Sequence, residues 1–279
     1  MSDEDAVSAH EFGPLGGRGG PSHAAEQASD PVGADTDTDT GADADTNAIQ
    51  RARPSLVQEA VWTTADFIES ARLHAEAALH PNPPERYRHG DPSKPTVLLL
   101  PGVYETWNFL RVIADALNED GYRIAAIGGL GYNLLPIAET ATRLTRALRA
   151  LPVPSGGRVI LAHSKGGLIG KYLLRAHGAE LGIEKLTAIA TPFAGSRRAK
   201  YMLDPRLRIF DPADETIVQL GADASVNPRI TSIFGTFDAQ VPDGSVLSEA
   251  RNVQVPVHGH FKVLGAPETL AAVRESLTV

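Results

Sequence analysis

Apolar residues fall into two periods along this chain, and their alternation from residue 96 onwards lays out most of a fold. Short apolar runs occur at 96–101 (TVLLLP), 122–127 (YRIAAI), 158–162 (RVILA), 186–190 (LTAIA), 230–234 (ITSIF) and 253–257 (VQVPV). They are too short for helices and read as strands. Between them the apolar positions recur at helical spacing. Phe109, Ile113 and Ala116 share one face over 108–117, with Gly121 suited to the C-terminal cap. Ile137, Ala141, Leu144, Leu148 and Leu151 mark another helix, with Glu139 four residues before Arg143 on its other face. Further helices are predicted over 166–176 and from about Pro267. Strands without a polar face, alternating with amphipathic helices, predict an α/β fold. The sheet is expected to be small and mostly parallel, with about six strands and helices on both faces.

Upstream the pattern changes twice. Ser55 can cap a helix whose third position is Gln58, and Val57, Val61, Ala65, Ile68 and Ala75 follow at spacings near four. That stripe predicts packing against the body, or a flap over its site, and Trp62 and Phe67 widen it. The helix should end before Pro81, in the turn-rich HPNPPERY stretch. Residues 1–50 are rich in Gly, Ala, Asp, Thr and Ser, with the biased run GADTDTDTGADADT at 33–46. Such a segment buries too little apolar surface to offset its ordering entropy and is expected to be disordered. The chain therefore divides into an acidic tail (1–52), a helix packing on or covering the body (53–82) and a catalytic domain (83–279).

Charge sharpens this division. The net charge is −8, but residues 1–50 carry eleven of the 34 acidic residues and one of the 26 basic ones. The remainder, with 23 acidic and 25 basic residues, is nearly neutral. A body without a basic stripe argues against nucleic acid as a partner. No apolar run reaches the roughly 18 residues of a transmembrane segment, and no secretory signal is visible, which points to the cytoplasm. With no cysteine, disulfides, thiolate metal sites and cysteine nucleophiles are excluded.

One pentapeptide carries chemistry. Ala162-His-Ser-Lys-Gly166 joins the strand RVILA to the helix GGLIGKYLLRA, a small-x-Ser-x-small nucleophile elbow. The turn is so sharp that larger flanking side chains would collide, and it lifts the serine above the sheet edge. Ser164 is thus the candidate nucleophile. Serine needs a base to take its proton and a carboxylate to hold that base. Asp238 follows the strand ITSIF, at the carboxyl end where active sites of open sheets gather. His260 lies past the last strand and before the final helix, and is the candidate base. His258 is its rival, while Asp211 and Asp214 rival Asp238 but lie in a loop entering a helix. His163 reads as structural. A metal at His258 and His260 lacks a third ligand. The oxyanion hole needs two backbone N–H donors, expected from Lys165 and from the loop after the first strand, with Val103 preferred over Tyr104. The Lys165 side chain is expected to be solvated.

The strings PGVYETWNFL, AHSKGG, ATPFAGS and VHGHFKV resemble those of bacterial α/β-hydrolases of the lipase/esterase type, over about residues 96–279. Gly259-His260-Phe261-Lys262-Val263 resembles that family's Gly-His-x-x-Leu. Ala162, Pro101 and Phe193 stand where relatives carry glycine, histidine and histidine. Pro101 removes a side chain that orients the oxyanion loop. The resemblance implies an α/β-hydrolase fold without cofactor or metal, and hydrolysis of carboxylic esters through an acyl-serine. The substrate would be a small-molecule or lipid-like ester. Between Ser196 and Arg229 there is no room for a large cap domain, so an open acyl site partly covered by residues 55–80 is expected. Acyl transfer or thioester cleavage on the same triad, and a non-catalytic binding protein of this fold, are the alternatives.

Overall fold

The computed structural model describes residues 54–128 and 130–278; the acidic tail lies outside the described residues. Six strands build one sheet: β1 (Thr96–Leu100), β2 (Ile124–Ala126), β3 (Arg158–His163), β4 (Ile183–Ile189), β5 (Ile230–Phe237) and β6 (Arg251–His258). Their order is β2-β1-β3-β4-β5-β6, and every pairing is parallel. Chain order reverses at β1, so the crevice between the carboxyl ends of β1 and β3 is the topological switch point, where open α/β sheets bind ligands.

Side-chain alternation explains why the strands carry no polar face. Leu98, Leu100, Ile160 and Ala162 enter one core with residues of α3 (Ile137–Arg149), α4 (Lys165–Leu181) and α5 (Glu215–Ala222). Val97, Leu99, Val159 and Leu161 point the other way, into a second core with α2 (Arg111–Glu119) and α6 (Pro267–Thr278). Gly121, at φ 91°, closes α2. Strand β2 is shorter than its apolar run predicts, and β5 is longer by three residues. Between β4 and α5 the chain makes only two short 3-10 turns, Ala199–Tyr201 and Pro205–Phe210, and no large cap domain. None of the described helices is long and apolar enough to cross a membrane.

Helix α1 (Leu56–Leu79) starts at a capping box: Ser55 Oγ accepts from Gln58 N at 3.2 Å, and Gln58 Oε1 accepts from Ser55 N at 2.9 Å. Its orientation corrects the expected stripe. Val57, Val61 and Ile68 are 73%, 60% and 67% exposed. The face turned inward instead carries the buried Asp66 and Leu73, and Leu73 belongs to the second core. Period alone placed an apolar face on α1 but not the side that is buried. Helix α1 belongs to the same compact unit as the sheet.

Candidate active site

The turn from β3 to α4 puts Ser164 at φ 51°, ψ −121°, a conformation that side-chain-bearing residues rarely adopt and that costs of order 1–3 kcal/mol. The neighbouring glycines show why it is so tight. A Cβ on Gly166 would run into the carbonyl of Leu100 at the end of β1, and one on Gly167 into the side chain of Thr191. The Leu100 carbonyl is main chain in mid-sheet and cannot rotate away. Gly166→Ala is therefore expected to lower stability by about 1–3 kcal/mol, read as a fall in the urea midpoint. An unchanged midpoint would mean that α4 can slide off β1.

Asp238 follows β5 and uses both carboxylate oxygens. Oδ1 accepts from Gln240 N (2.8 Å) and Val241 N (2.9 Å), and Oδ2 accepts from His260 Nδ1 at 2.6 Å. Burial pushes the Asp238 carboxyl up, but the facing His260 and these donors leave it below its usual range. The His260 ring behaves conversely. Burial pushes it down, the Asp238 carboxylate outweighs this, Glu105 and Asp66 add to it, and the ring titrates above the ordinary 6.5. With Nδ1 committed to Asp238, Nε2 remains to exchange a proton, and no described residue bonds it. His260 and Ser164, 3% and 6% exposed, line one cavity of about 240 Å³. No hydrogen bond joins the two side chains. Apolar groups dominate the rest of the wall, among them Phe67 of α1, Met202, Leu207, Phe210, Val241 and Phe261.

No protein-family model matches the chain, and no curated protein matches it. Solved structures do. The mature lipase BlEst2 of Bacillus licheniformis superposes with a TM-score of 0.51 at 16% identity, over 71% of this chain and 96% of that one. Lipase B of Aspergillus fumigatus superposes with a TM-score of 0.54 at 20% identity, over 68% of this chain. The matched part spans only 54% of that lipase's length. At such identities the likeness is one of fold. This chain has the α/β-hydrolase fold.

In an α/β-hydrolase fold the loop after the first strand faces the serine, and here it is held without the missing histidine. Asn133 Nδ2 donates to the Pro101 carbonyl at 2.7 Å, and Glu105 Oε2 accepts from Gly102 N at 2.7 Å. Tyr104 N is committed to the Tyr132 carbonyl at 2.7 Å. The amide of Val103 has no acceptor among the described residues. That of Lys165, first residue of α4, can have none within its helix. The Lys165 side chain corrects the solvated reading: it is fully buried, with Nζ donating to the carbonyls of Asn133 (2.7 Å) and Leu135. Burial brings its pKa down to about 8. Those main-chain carbonyls, brought in from the loop before α3, were invisible in the local sequence.

The rivals are placed elsewhere. His258 stacks on Trp62, with ring centroids 3.8 Å apart. Asp214 caps α5 through Thr216 N and Ile217 N, and Asp211 accepts from Ala213 N. His163 is buried with Nδ1 against Glu105 (2.8 and 2.9 Å) and Nε2 against the His260 carbonyl (3.0 Å). Glu105 was missed. Its one local signal is a carboxylate three residues past Gly102 in an otherwise uncharged loop. Among the described residues no cluster of three or more His, Asp or Glu is arranged to hold a metal ion.

Proposed function

We propose that the chain is a serine hydrolase of uncharged carboxylic esters. Ser164 Oγ attacks the ester carbonyl as His260 Nε2 takes its proton, and Asp238 holds the imidazole and stabilises its charged form. The oxyanion accepts N–H bonds from Val103 and Lys165, each worth about 3 kcal/mol in the transition state. Collapse breaks the ester C–O bond, His260 protonates the departing alcohol, and water, activated by the same base, releases the acid from the acyl-serine. The observation that carries this reading is the strained Ser164 sharing a largely apolar cavity with a buried histidine bonded to a half-buried carboxylate. The uncharged substrate class rests on the same wall, which is mostly apolar and carries no Lys or Arg side chain to pair with an anionic acyl group.

The test is intact-mass analysis after treatment with a fluorophosphonate probe, followed by peptide mapping. One adduct on the peptide containing Ser164 is expected; a folded native chain that takes up no probe would sink the proposal. The base must be neutral to act, and its pKa is raised, so activity should fall as pH drops through a midpoint above 6.5. A kcat/KM profile that stays flat down through the range of an imidazole would remove His260 from the role of base.

A further inference from the structure

Helix α1 enters the candidate site through one buried carboxylate. Asp66 Oδ1 accepts from Phe261 N at 2.8 Å and from Lys262 N at 3.0 Å, the two amides that follow His260. On the other side of His260, Gly259 sits at φ 126°, and a Cβ there would run into the Asp66 carboxylate. The main chain on both sides of His260 thus lies directly against α1. One turn earlier in the helix, Trp62 stacks on His258. The loop's other ties come from the sheet and the elbow: Gly259 N donates to the Phe237 carbonyl, and His163 Nε2 bonds the His260 carbonyl.

We propose that Asp66 is a positioning residue of the active site: it fixes the main chain around His260 so that Nδ1 meets Asp238 and Nε2 is left for the serine, and it places a further negative charge beside the ring. This inference rests on the hydrolase reading above. It makes α1 an integral part of the catalytic unit, through Asp66 as well as through the packing of Leu73 in the second core. The charged and titratable groups around His260 are Asp238 from the end of β5, Glu105 from the loop after β1, His163 from β3, Asp66 from α1, and Lys262 within the loop itself. Removing one of the three carboxylates should make the imidazole easier to deprotonate.

Two substitutions separate the roles. Asp66→Asn keeps an oxygen that can accept both amides but removes the charge; Asp66→Ala removes both. The full-length chain, these variants and Glu76→Gln, which deletes a carboxylate of α1 paired with Arg72 instead, would be compared. The readouts are fluorophosphonate labelling rate, the pH profile of kcat/KM on a p-nitrophenyl ester, and thermal melting. Titration of the His260 ring by NMR in the Ser164→Ala background adds a readout independent of activity. Asp66→Asn is expected to move the acid limb and the ring titration to lower pH with little change in the plateau. Asp66→Ala should lower the plateau by roughly 100-fold in a chain that still melts cooperatively, the scale of a misplaced catalytic group. Glu76→Gln should move neither. Native-like rates and acid limb in Asp66→Ala would overturn the proposal. If that variant does not fold, an unmoved limb and ring titration in Asp66→Asn would do the same. A native chain that takes up no probe would instead sink the hydrolase reading, and the His260 titration would still decide whether Asp66 acts on the ring.

Discussion

Ser164→Ala is expected to lower kcat/KM for an uncharged ester by roughly 10⁴-fold or more, the scale seen when a nucleophile is lost from a cooperative triad. The same position predicts a gain in stability. Ser164 holds φ 51°, and alanine keeps the Cβ that makes this conformation unfavourable, whereas glycine does not. Ser164→Gly should therefore be as inactive as Ser164→Ala yet more stable by about 1–3 kcal/mol. Denaturant melts of the two variants beside the native chain measure this directly. Equal stability of the glycine and alanine variants would mean the elbow is unstrained. Full ester hydrolysis by Ser164→Ala would move the chemistry to another residue.

The second large effect falls on a pair that touches no substrate in the proposed mechanism. Glu105 and His163 are buried together, and their remaining contacts, Gly102 N and the His260 carbonyl, tie the oxyanion loop to the loop that carries the base. Glu105→Leu strands the His163 Nδ1 and the Gly102 amide away from water, which should cost about 3–5 kcal/mol, much of a domain's usual margin. Glu105→Gln should be far milder. Its amide oxygen can accept from Gly102 and its NH₂ can donate to Nδ1, provided the histidine carries its single proton on Nε2, where the His260 carbonyl accepts it. Urea midpoints of the two variants should differ accordingly. Equal losses would show that the negative charge, and not hydrogen-bond satisfaction, holds the pair.

Local sequence was informative wherever a constraint is short-range. The apolar runs at 96–101, 158–162 and 230–234 became three adjacent or near-adjacent parallel strands because a strand buried on both faces has no polar alternation to hide it. The AHSKG elbow was legible because its small residues answer a steric demand between chain neighbours and the adjoining strand. Asp238 and His260 could be singled out because chain order and strand ends confine where such groups fall. Helix α1 shows the limit. Its period predicts the helix, yet Val57, Val61 and Ile68 face solvent while Asp66 is buried.

By itself, then, the sequence determined the alternation of elements, the elbow, and a short set of candidate side chains. Only the tertiary structure decided which partners those side chains meet. Asp66 bonds amides 195 and 196 residues away, Glu105 bonds a histidine 58 residues away, and the Lys165 ammonium is satisfied by carbonyls about 30 residues upstream. A buried charge is tolerated only where donors or acceptors converge on it. That convergence is a property of packed loops and helices, and no local pattern in the chain records it.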